Sequence, residues 1–169
     1  MAASLDSLRF LLMDDNHHIR AIVATILRSV GVRHVREASD GAEGLNVLDT
    51  WPADIAIADF KMAPMDGVEF TRRIRRPNSR NAYLPIIMMT GFSDRGRIFE
   101  ARDAGVNEIL AKPITASGLL NRVESVILQQ RPFIRTEAYF GPCRRRKEGD
   151  GPDGVERRGA AARQRYATI

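Results

Sequence analysis

The stretch DIAIADFKMAPMDG, residues 54–67, decides which fold the sequence predicts. Four apolar residues, Ile55 to Ala58, lead into the acid Asp59, and a loop with lysine, proline and glycine follows. A short apolar run between turn signals is typical of a strand buried on both faces of a parallel sheet. Ligands bind outside the carboxyl ends of such strands. Asp59 is therefore either an ordinary turn-forming acid or part of a functional site at that edge.

Similar apolar runs and helical patterns alternate along the first 130 residues. Besides the opening stretch, strands are predicted at residues 8–13, 33–38, 84–90 and 107–111. Apolar residues at helical spacing follow each strand, Ile22 among them in the first helix, and Asn16 and Ser93 are predicted N-caps. This alternation predicts an α/β, flavodoxin-like fold: a five-stranded parallel sheet of order 2-1-3-4-5 with five helices.

The charge distribution divides the chain into two parts. Residues 1–130 contain 16 Lys and Arg and 16 Asp and Glu, whereas residues 131–169 contain ten and five. We therefore predict one domain over residues 1–130 and a basic, largely disordered C-terminal tail over residues 131–169. A docked segment within the tail is expected at residues 133–140, where aromatic residues are concentrated.

Several protein classes are excluded by the composition. The sequence has no apolar run of the roughly 20 residues that a membrane helix needs, and its first 15 residues lack the pattern of a signal peptide. The single cysteine, Cys143, rules out an intramolecular disulfide and a metal site built from cysteines. We therefore expect a cytoplasmic protein with no membrane partner.

Two arginine-rich segments have alternative interpretations. Arg72, Arg73, Arg75 and Arg76 end the third predicted helix, and we expect a solvated helix face there rather than a nucleic-acid-binding patch. In the tail, residues 144–147 are basic and follow two aromatic residues. This second segment leaves open a nucleic-acid-binding regulator that acts through its tail, although a solubilising or partner-binding tail is favoured.

Chemically useful side chains are predicted to meet at the carboxyl ends of the strands. Asp14 and Asp15 follow strand one, and Asp59 follows strand three, its neighbour in the predicted sheet. Three clustered carboxylates repel one another unless a cation neutralises them, and Mg²⁺ prefers such oxygen ligands. Strands four and five bring Thr90 and Lys112 to the same edge. A metal, a hydroxyl, an ammonium and a nucleophilic carboxylate are the groups that phosphoryl transfer requires.

These motifs resemble the receiver domain of two-component response regulators over residues 7–130. The matching pieces are Asp14-Asp15-Asn16, Asp59 with Met65-Asp66-Gly67, Met89-Thr90-Gly91 and Ala111-Lys112-Pro113. The resemblance implies that Asp59 accepts a phosphoryl group from a sensor histidine kinase or a histidine phosphotransfer protein. It also implies Mg²⁺ held by Asp14, Asp15, Asp59 and the backbone carbonyl of Lys61, with Thr90 and Lys112 contacting the phosphoryl group. A cis peptide bond before Pro113 is implied as well.

Three positions depart from the family pattern. The proline expected four residues after the phosphoacceptor is replaced by Ala63, and Pro64 follows it. Lys61 places a long cation beside the site, where it either reaches the phosphoryl group or remains solvated. Ile109 stands where the family carries an aromatic switch residue, so coupling between Thr90 and a rotating ring cannot operate. Any switch must then use backbone shifts or repacking of Phe92 or Phe99.

The sequence therefore predicts a single-domain response regulator, and not an enzyme beyond assisting its own phosphorylation and dephosphorylation. Its output would pass to a downstream protein partner. An unphosphorylated pseudo-receiver is the main alternative within the same fold. A phosphatase of the haloacid-dehalogenase class is disfavoured, because Asp14-Asp15-Asn16 lacks the second acid two residues after the nucleophile.

Overall fold

Parallel strands alternate with helices along the chain, as the sequence predicts. The structure is a computed structural model, and it describes residues 5–91, 95–144 and 167–168. The elements of the main domain are β1 Arg9–Met13, α1 His17–Ser29, β2 His34–Ala38, α2 Gly41–Thr50, β3 Ile55–Asp59, α3 Gly67–Ile74, β4 Ile86–Gly91, α4 Arg95–Ala104, β5 Glu108–Lys112 and α5 Ala116–Leu128. Three short strands follow, namely β6 Phe133–Arg135, β7 Phe140–Pro142 and β8 Ala167–Thr168.

The main sheet has the order β2-β1-β3-β4-β5, and all four strand pairs are parallel. The flavodoxin-like prediction is therefore confirmed. Because the strands are parallel, their carboxyl ends meet at one edge of the sheet. Asp59 pairs there with Met89, and Gly91 pairs with Lys112. The register thus brings the ends of β3, β4 and β5 side by side.

Alternating residues of the central strands divide the core into two layers. One layer packs against α2, α3 and α4 and takes its strand residues from Leu11, Met13, Ala56, Ala58, Ile86 and Met88. The other packs against α1 and α5 and takes Phe10, Leu12, Ile55, Ile57, Ile87 and Met89. Side chains alternate between the faces of a strand, so a continuous apolar run supplies both layers. These runs make the central strands recognisable from sequence alone.

Local details differ from the prediction. Ile22, one of the apolar residues at helical spacing in the first helix, is 47% exposed. The helix α1 instead buries Val23, Ala24 and Leu27, because its contact stripe is narrower than the run of apolar residues. The Asn16 cap is confirmed, since its side chain accepts a hydrogen bond from the backbone of His18. The predicted Ser93 cap lies outside the described residues.

The segment after α5 folds back onto the domain, in the region where a docked segment is expected. Residues 131–144, here called the C-terminal hairpin, contain the antiparallel strands β6 and β7. Arg131 binds the carbonyl oxygens of Asn107 and Cys143, and Arg144 forms an ion pair of 3.3 Å with Asp103. Gly105 has a φ of +102°, and a Cβ atom at this position would lie 3.0 Å from the Phe140 carbonyl oxygen. The remainder of the predicted tail lies outside the described residues, apart from the backbone of β8.

Arg75 is buried beneath this hairpin, so the prediction of four solvated arginines is wrong at this position. It is 5% exposed, and its guanidinium donates hydrogen bonds to Gly105 O at 3.0 Å, Ala82 O at 2.8 Å and Asn107 Oδ1 at 3.0 Å. Phe133 of β6 lies 5.0 Å from the guanidinium carbon. Burial lowers the pKa of Arg75 to about 9, so the group stays charged at neutral pH. Arg72, Arg73 and Arg76 are exposed, as predicted.

We predict that Arg75→Ala lowers the free energy of unfolding by about 2–4 kcal/mol, because it leaves buried carbonyl oxygens without donors and opens a cavity. Arg76→Ala, at the exposed neighbouring position, should change it by less than about 0.5 kcal/mol. Urea unfolding of the two variants and the wild type measures the difference. Equal stability of both variants would contradict the structural role assigned to Arg75.

Candidate functional site

Three carboxylates meet at the carboxyl ends of β1 and β3. Asp14, Asp15 and Asp59 each offer an oxygen atom, and these atoms lie within 4.8 Å of one another. Asp14 and Asp59 are buried, whereas Asp15 is exposed. The Asn16 backbone N–H donates to Asp14 Oδ1 at 2.8 Å and so fixes the orientation of that carboxylate. The structure thus brings together the acids that the sequence predicts.

Lys112, at the end of β5, bridges two of these acids. Its Nζ atom lies 3.0 Å from Asp14 Oδ2 and 2.7 Å from Asp59 Oδ1. Lys112 and Asp14 are 98 positions apart in the chain, so this contact joins distant parts of the sequence. The peptide bond between Lys112 and Pro113 is cis, as the family resemblance implies. This contact places a cation directly on the candidate phosphoacceptor.

The bridging interaction affects Asp59 and Lys112 in different ways. Burial raises the pKa of the Asp59 carboxyl, and the negative charge of Asp14 adds to this rise. Lys112 and the Lys61 N–H both act in the opposite direction, because they favour the ionised carboxylate. Burial alone would lower the pKa of Lys112, but its hydrogen bonds to Asp59 and Asp14 raise it overall. Lys112 has two carboxylate partners, whereas Asp59 has one ammonium partner and shares it with the buried Asp14. The cluster therefore retains an unfavourable excess of negative charge.

Thr90 lies at the same edge with its hydroxyl unused. It is 2% exposed, and its Oγ1 atom has no hydrogen-bond partner among the described residues. It follows Met89, the residue that pairs with Asp59 in the sheet. Buried hydroxyl groups are normally hydrogen-bonded. The orphaned hydroxyl is therefore available to a ligand atom at this edge.

The loop after Asp59 takes a path set by its unusual sequence. The Lys61 N–H donates to Asp59 Oδ2 at 3.1 Å, while the Lys61 side chain is exposed. The peptide bond between Ala63 and Pro64 is cis. A Cβ atom at Gly67 would lie 2.3 Å from the Asp59 carbonyl oxygen, so only glycine lets α3 begin this close to β3.

Two of the predicted switch positions lie within β5 and α4. Ile109 is half-buried and packs against the core layer under α2, α3 and α4. Phe99 is 51% exposed, with the Arg102 guanidinium carbon 4.8 Å from its ring. Phe92 lies outside the described residues. The structure therefore leaves the prediction of a switch through Phe92 or Phe99 untested.

Arg20 is a site residue that the sequence reasoning missed. Its Nη1 atom donates to the Asp14 carbonyl oxygen at 2.6 Å, and its Nε atom lies 3.0 Å from Glu37 Oε2. The guanidinium thus ties the end of β1 to α1 and to β2. No motif signals this role, because an arginine on the first helix is indistinguishable from an ordinary surface cation until the strands are paired.

The donor set fits a small divalent cation. Three carboxylates with one exposed member offer hard oxygen ligands and leave positions for water, which is the coordination that Mg²⁺ prefers. Asp14, Asp15 and Asp59 would hold the ion. A bound ion would also offset the cost of ionising Asp59, which burial and the nearby charge of Asp14 increase.

Comparison with known proteins gives one consistent result. A family model described as the response regulator receiver domain matches residues 10–124. The chain is 34% identical over 119 residues to the chemotaxis protein CheY of Pseudomonas aeruginosa, an alignment covering 70% of this chain and 95% of that protein. The similar solved structures include a chemotaxis response regulator of Vibrio cholerae, with a TM-score of 0.65 and 30% identity over 70% of this chain and 98% of that one.

A second similar structure bears on the metal. It is the receiver domain of a sensor histidine kinase from Pseudomonas aeruginosa with a magnesium ion coordinated in its active site cleft. The TM-score is 0.63 and the identity is 28%, with 73% of this chain and 98% of that chain covered. The acidic cluster of the present chain is consistent with the same kind of site.

We predict that Asp59→Asn raises the free energy of unfolding in the presence of EDTA near neutral pH. Folding raises the pKa of Asp59. Above the ordinary aspartate pKa, keeping this carboxylate ionised in the fold therefore lowers the free energy of unfolding. This loss disappears as the pH falls through the folded-state pKa, because the carboxyl group then becomes protonated. The gain should therefore shrink in acid, and also in excess Mg²⁺, which stabilises the wild type by binding. Urea unfolding across these conditions measures it.

Asp54→Asn provides a control of opposite sign, at the other end of the same strand. Burial opposes ionisation of Asp54, but hydrogen bonds from Arg9 lower its pKa overall. The Asp54 variant should therefore lose stability near neutral pH. An Asp59→Asn variant that is no more stable than the wild type in EDTA would contradict the electrostatic interpretation of the cluster.

Proposed function

The chain belongs to the response regulator receiver family, and we propose that it accepts a phosphoryl group on Asp59 in a phosphorelay. The donor would be the phosphohistidine of a sensor histidine kinase or of a histidine phosphotransfer protein. The observation that carries this proposal is the contact of 2.7 Å between Lys112 Nζ and Asp59 Oδ1, beside two further acids. An ordinary ion pair would not need these additional carboxylates.

In the proposed reaction the Asp59 carboxylate attacks the phosphorus atom of phosphohistidine. A phosphorus–oxygen bond forms, the phosphorus–nitrogen bond breaks, and the imidazole leaves with the electron pair. A bound Mg²⁺ would supply charge neutralisation for the phosphoryl oxygens. Lys112 already contacts Asp59 and would pair with the incoming negative charge, so its ammonium would replace part of its contact with carboxylate by a contact with phosphoryl oxygen.

Thr90 has the hydrogen-bonding capacity that the phosphorylated state requires. Its buried hydroxyl has no partner among the described residues, and a phosphoryl oxygen at Asp59 would accept from it. The Lys61 N–H lies against the other Asp59 oxygen, and the Lys61 carbonyl is the proposed further metal ligand. Thr90 would thus respond to phosphorylation, while Lys61 would hold the loop near the metal.

The output proposed here is a change in affinity for a downstream protein. Ile109 stands where the family carries an aromatic switch, so a rotating ring at this position cannot report the state of Thr90. The proposed route is therefore movement of β5 and α4 near Ile109.

We also propose that the protein works in the cytoplasm and acts on no substrate beyond its own phosphoryl group. None of the described helices is long and apolar enough to cross a membrane.

We predict that the wild type, incubated with acetyl phosphate and Mg²⁺, acquires one acid-stable and base-labile phosphoryl group. Asp59→Asn should remain unlabelled, because its amide is not a nucleophile. Asp54→Asn is the matched control at the opposite end of β3, and it should be labelled like the wild type. Intact mass spectrometry before and after mild base measures the product.

Metal dependence tests the acidic cluster independently. EDTA should abolish the labelling, and Asp15→Asn should weaken Mg²⁺ binding by roughly tenfold or more. Mass spectrometry follows the labelling, and titration calorimetry with Mg²⁺ measures the affinity. Absence of labelling in wild-type protein that binds Mg²⁺ would instead identify a pseudo-receiver. Equal labelling of the wild type and Asp59→Asn would refute the assignment of the phosphoacceptor.

A further inference from the structure

A cleft of about 450 Å³ lies between the C-terminal hairpin and the amino ends of the strands. Its walls include Asp54 before β3, Pro85 before β4 and Asn107 before β5, together with Tyr83 and Phe133. A five-residue strand spans roughly 16 Å, so this cleft and Asp59 lie at opposite edges of the sheet. The cleft is therefore separate from the phosphoryl site.

The C-terminal hairpin supplies part of the wall. Arg131 and Phe133 of the hairpin line the cleft, as does Gln130 just before it, whereas the family match ends at residue 124. These three residues lie beyond the matched range, so part of the cleft wall comes from outside the family match. Its volume falls within the range of about 300–1,000 Å³ that is usual for small-molecule sites.

One wall presents an aromatic ring to solvent. Tyr83 is 47% exposed, and its ring centroid lies 5.1 Å from that of Phe133 and 5.4 Å from that of Phe140. The edge-on arrangement with Phe140 fixes the tyrosine ring without covering it. An exposed aromatic face held in this way offers a stacking surface for a planar ring.

The charge around this ring is positive. Arg80 lines the cleft and is exposed, and it has no ion-pair partner among the residues that the structure describes. Arg131 also lines the cleft, where it binds backbone carbonyl oxygens and lies 4.0 Å from the buried Glu108. Asp54 is the one acidic residue among the described lining residues. Its carboxylate already accepts three hydrogen bonds from Arg9. Arg80 is therefore free to bind an anion.

Amide side chains complete the lining. Asn81 and Gln130 lie on the cleft wall, and both can donate and accept hydrogen bonds. Asn107 differs, because its Oδ1 atom already accepts from Arg75 and from the Ile86 backbone. An aromatic face, a free guanidinium and two amides are together the groups that recognise a nucleobase attached to a phosphate.

We propose that this cleft binds a nucleotide, with the base on Tyr83 and the phosphate on Arg80. The ligand is either a free mononucleotide or a nucleotide unit of single-stranded nucleic acid, since both present the same chemistry. The residues after position 130, with ten basic and five acidic side chains, add a favourable field for either source. The site does not depend on phosphorylation of Asp59.

Titration calorimetry on the full-length protein tests the proposal with adenosine 5′-monophosphate, adenosine and ribose 5-phosphate. The monophosphate should bind about fivefold or more tightly than either fragment, because only it engages both the ring and the guanidinium. Tyr83→Leu and Arg80→Gln should each weaken its binding about fivefold or more. Tyr83→Phe, which keeps the aromatic face, should retain binding of the monophosphate.

Oligodeoxyadenylate is the second ligand. If it binds more tightly than the monophosphate and is weakened by the same variants, the ligand of the cleft is a nucleotide unit of single-stranded nucleic acid.

Controls separate this proposal from binding to any exposed arginine and from the phosphoryl site. Arg28→Gln removes an exposed arginine on α1, and Asp59→Asn removes the phosphoacceptor; both should bind the monophosphate like the wild type. Urea unfolding of the Tyr83 and Arg80 variants verifies that they fold. Binding of ribose 5-phosphate as tight as that of the monophosphate, no effect of Arg80→Gln and Tyr83→Leu in folded protein, or no heat of binding up to about 5 mM ligand would each overturn the proposal.

Discussion

The contact of the Lys112 ammonium with Asp14 and Asp59 is the interaction on which the site depends. Parallel strands bring two buried acids and one exposed acid to one edge of the sheet, where their mutual repulsion is costly. Lys112 neutralises part of that charge at 3.0 and 2.7 Å. Burial raises the pKa of Asp59, Lys112 opposes this rise, and the second buried acid, Asp14, adds to it. The fold thus tolerates electrostatic strain at the place where a bound cation would relieve it.

The sequence predicts this part of the molecule well for a physical reason. Strands buried on both faces are nearly continuous apolar runs, and polar residues at their ends mark the edge of the sheet. Parallel connection then brings Asp14, Asp59, Thr90 and Lys112 to that edge whatever the details of the helices are. The pattern therefore determines which residues meet. It does not determine local paths, such as the loop at Ala63 and Pro64, or the link from Arg20 to the Asp14 carbonyl.

Arg75 shows where sequence reasoning stops. Its neighbours Arg72, Arg73 and Arg76 are exposed. Helical spacing alone gives no reason to expect that Arg75 is buried while they are not. Its burial arises from three distant partners, the carbonyls of Ala82 and Gly105 and the side chain of Asn107, together with Phe133 of the hairpin. A basic, glycine-rich composition predicts a disordered tail. The docking of residues 131–144 depends on a few aromatic and arginine contacts that composition does not report.

The two edges of the sheet thus have different chemical character. The carboxyl edge carries family motifs, an excess of negative charge and an unused hydroxyl at Thr90. The amino edge carries residues that this chain adds after its family domain, and these bury Arg75 and form an aromatic cluster from Tyr83, Phe133 and Phe140. Asn107 connects the hairpin to the start of β5, and Ile109 follows two residues later. The hairpin also contacts α4 through the ion pair between Arg144 and Asp103, so it touches both elements through which the proposed output would pass.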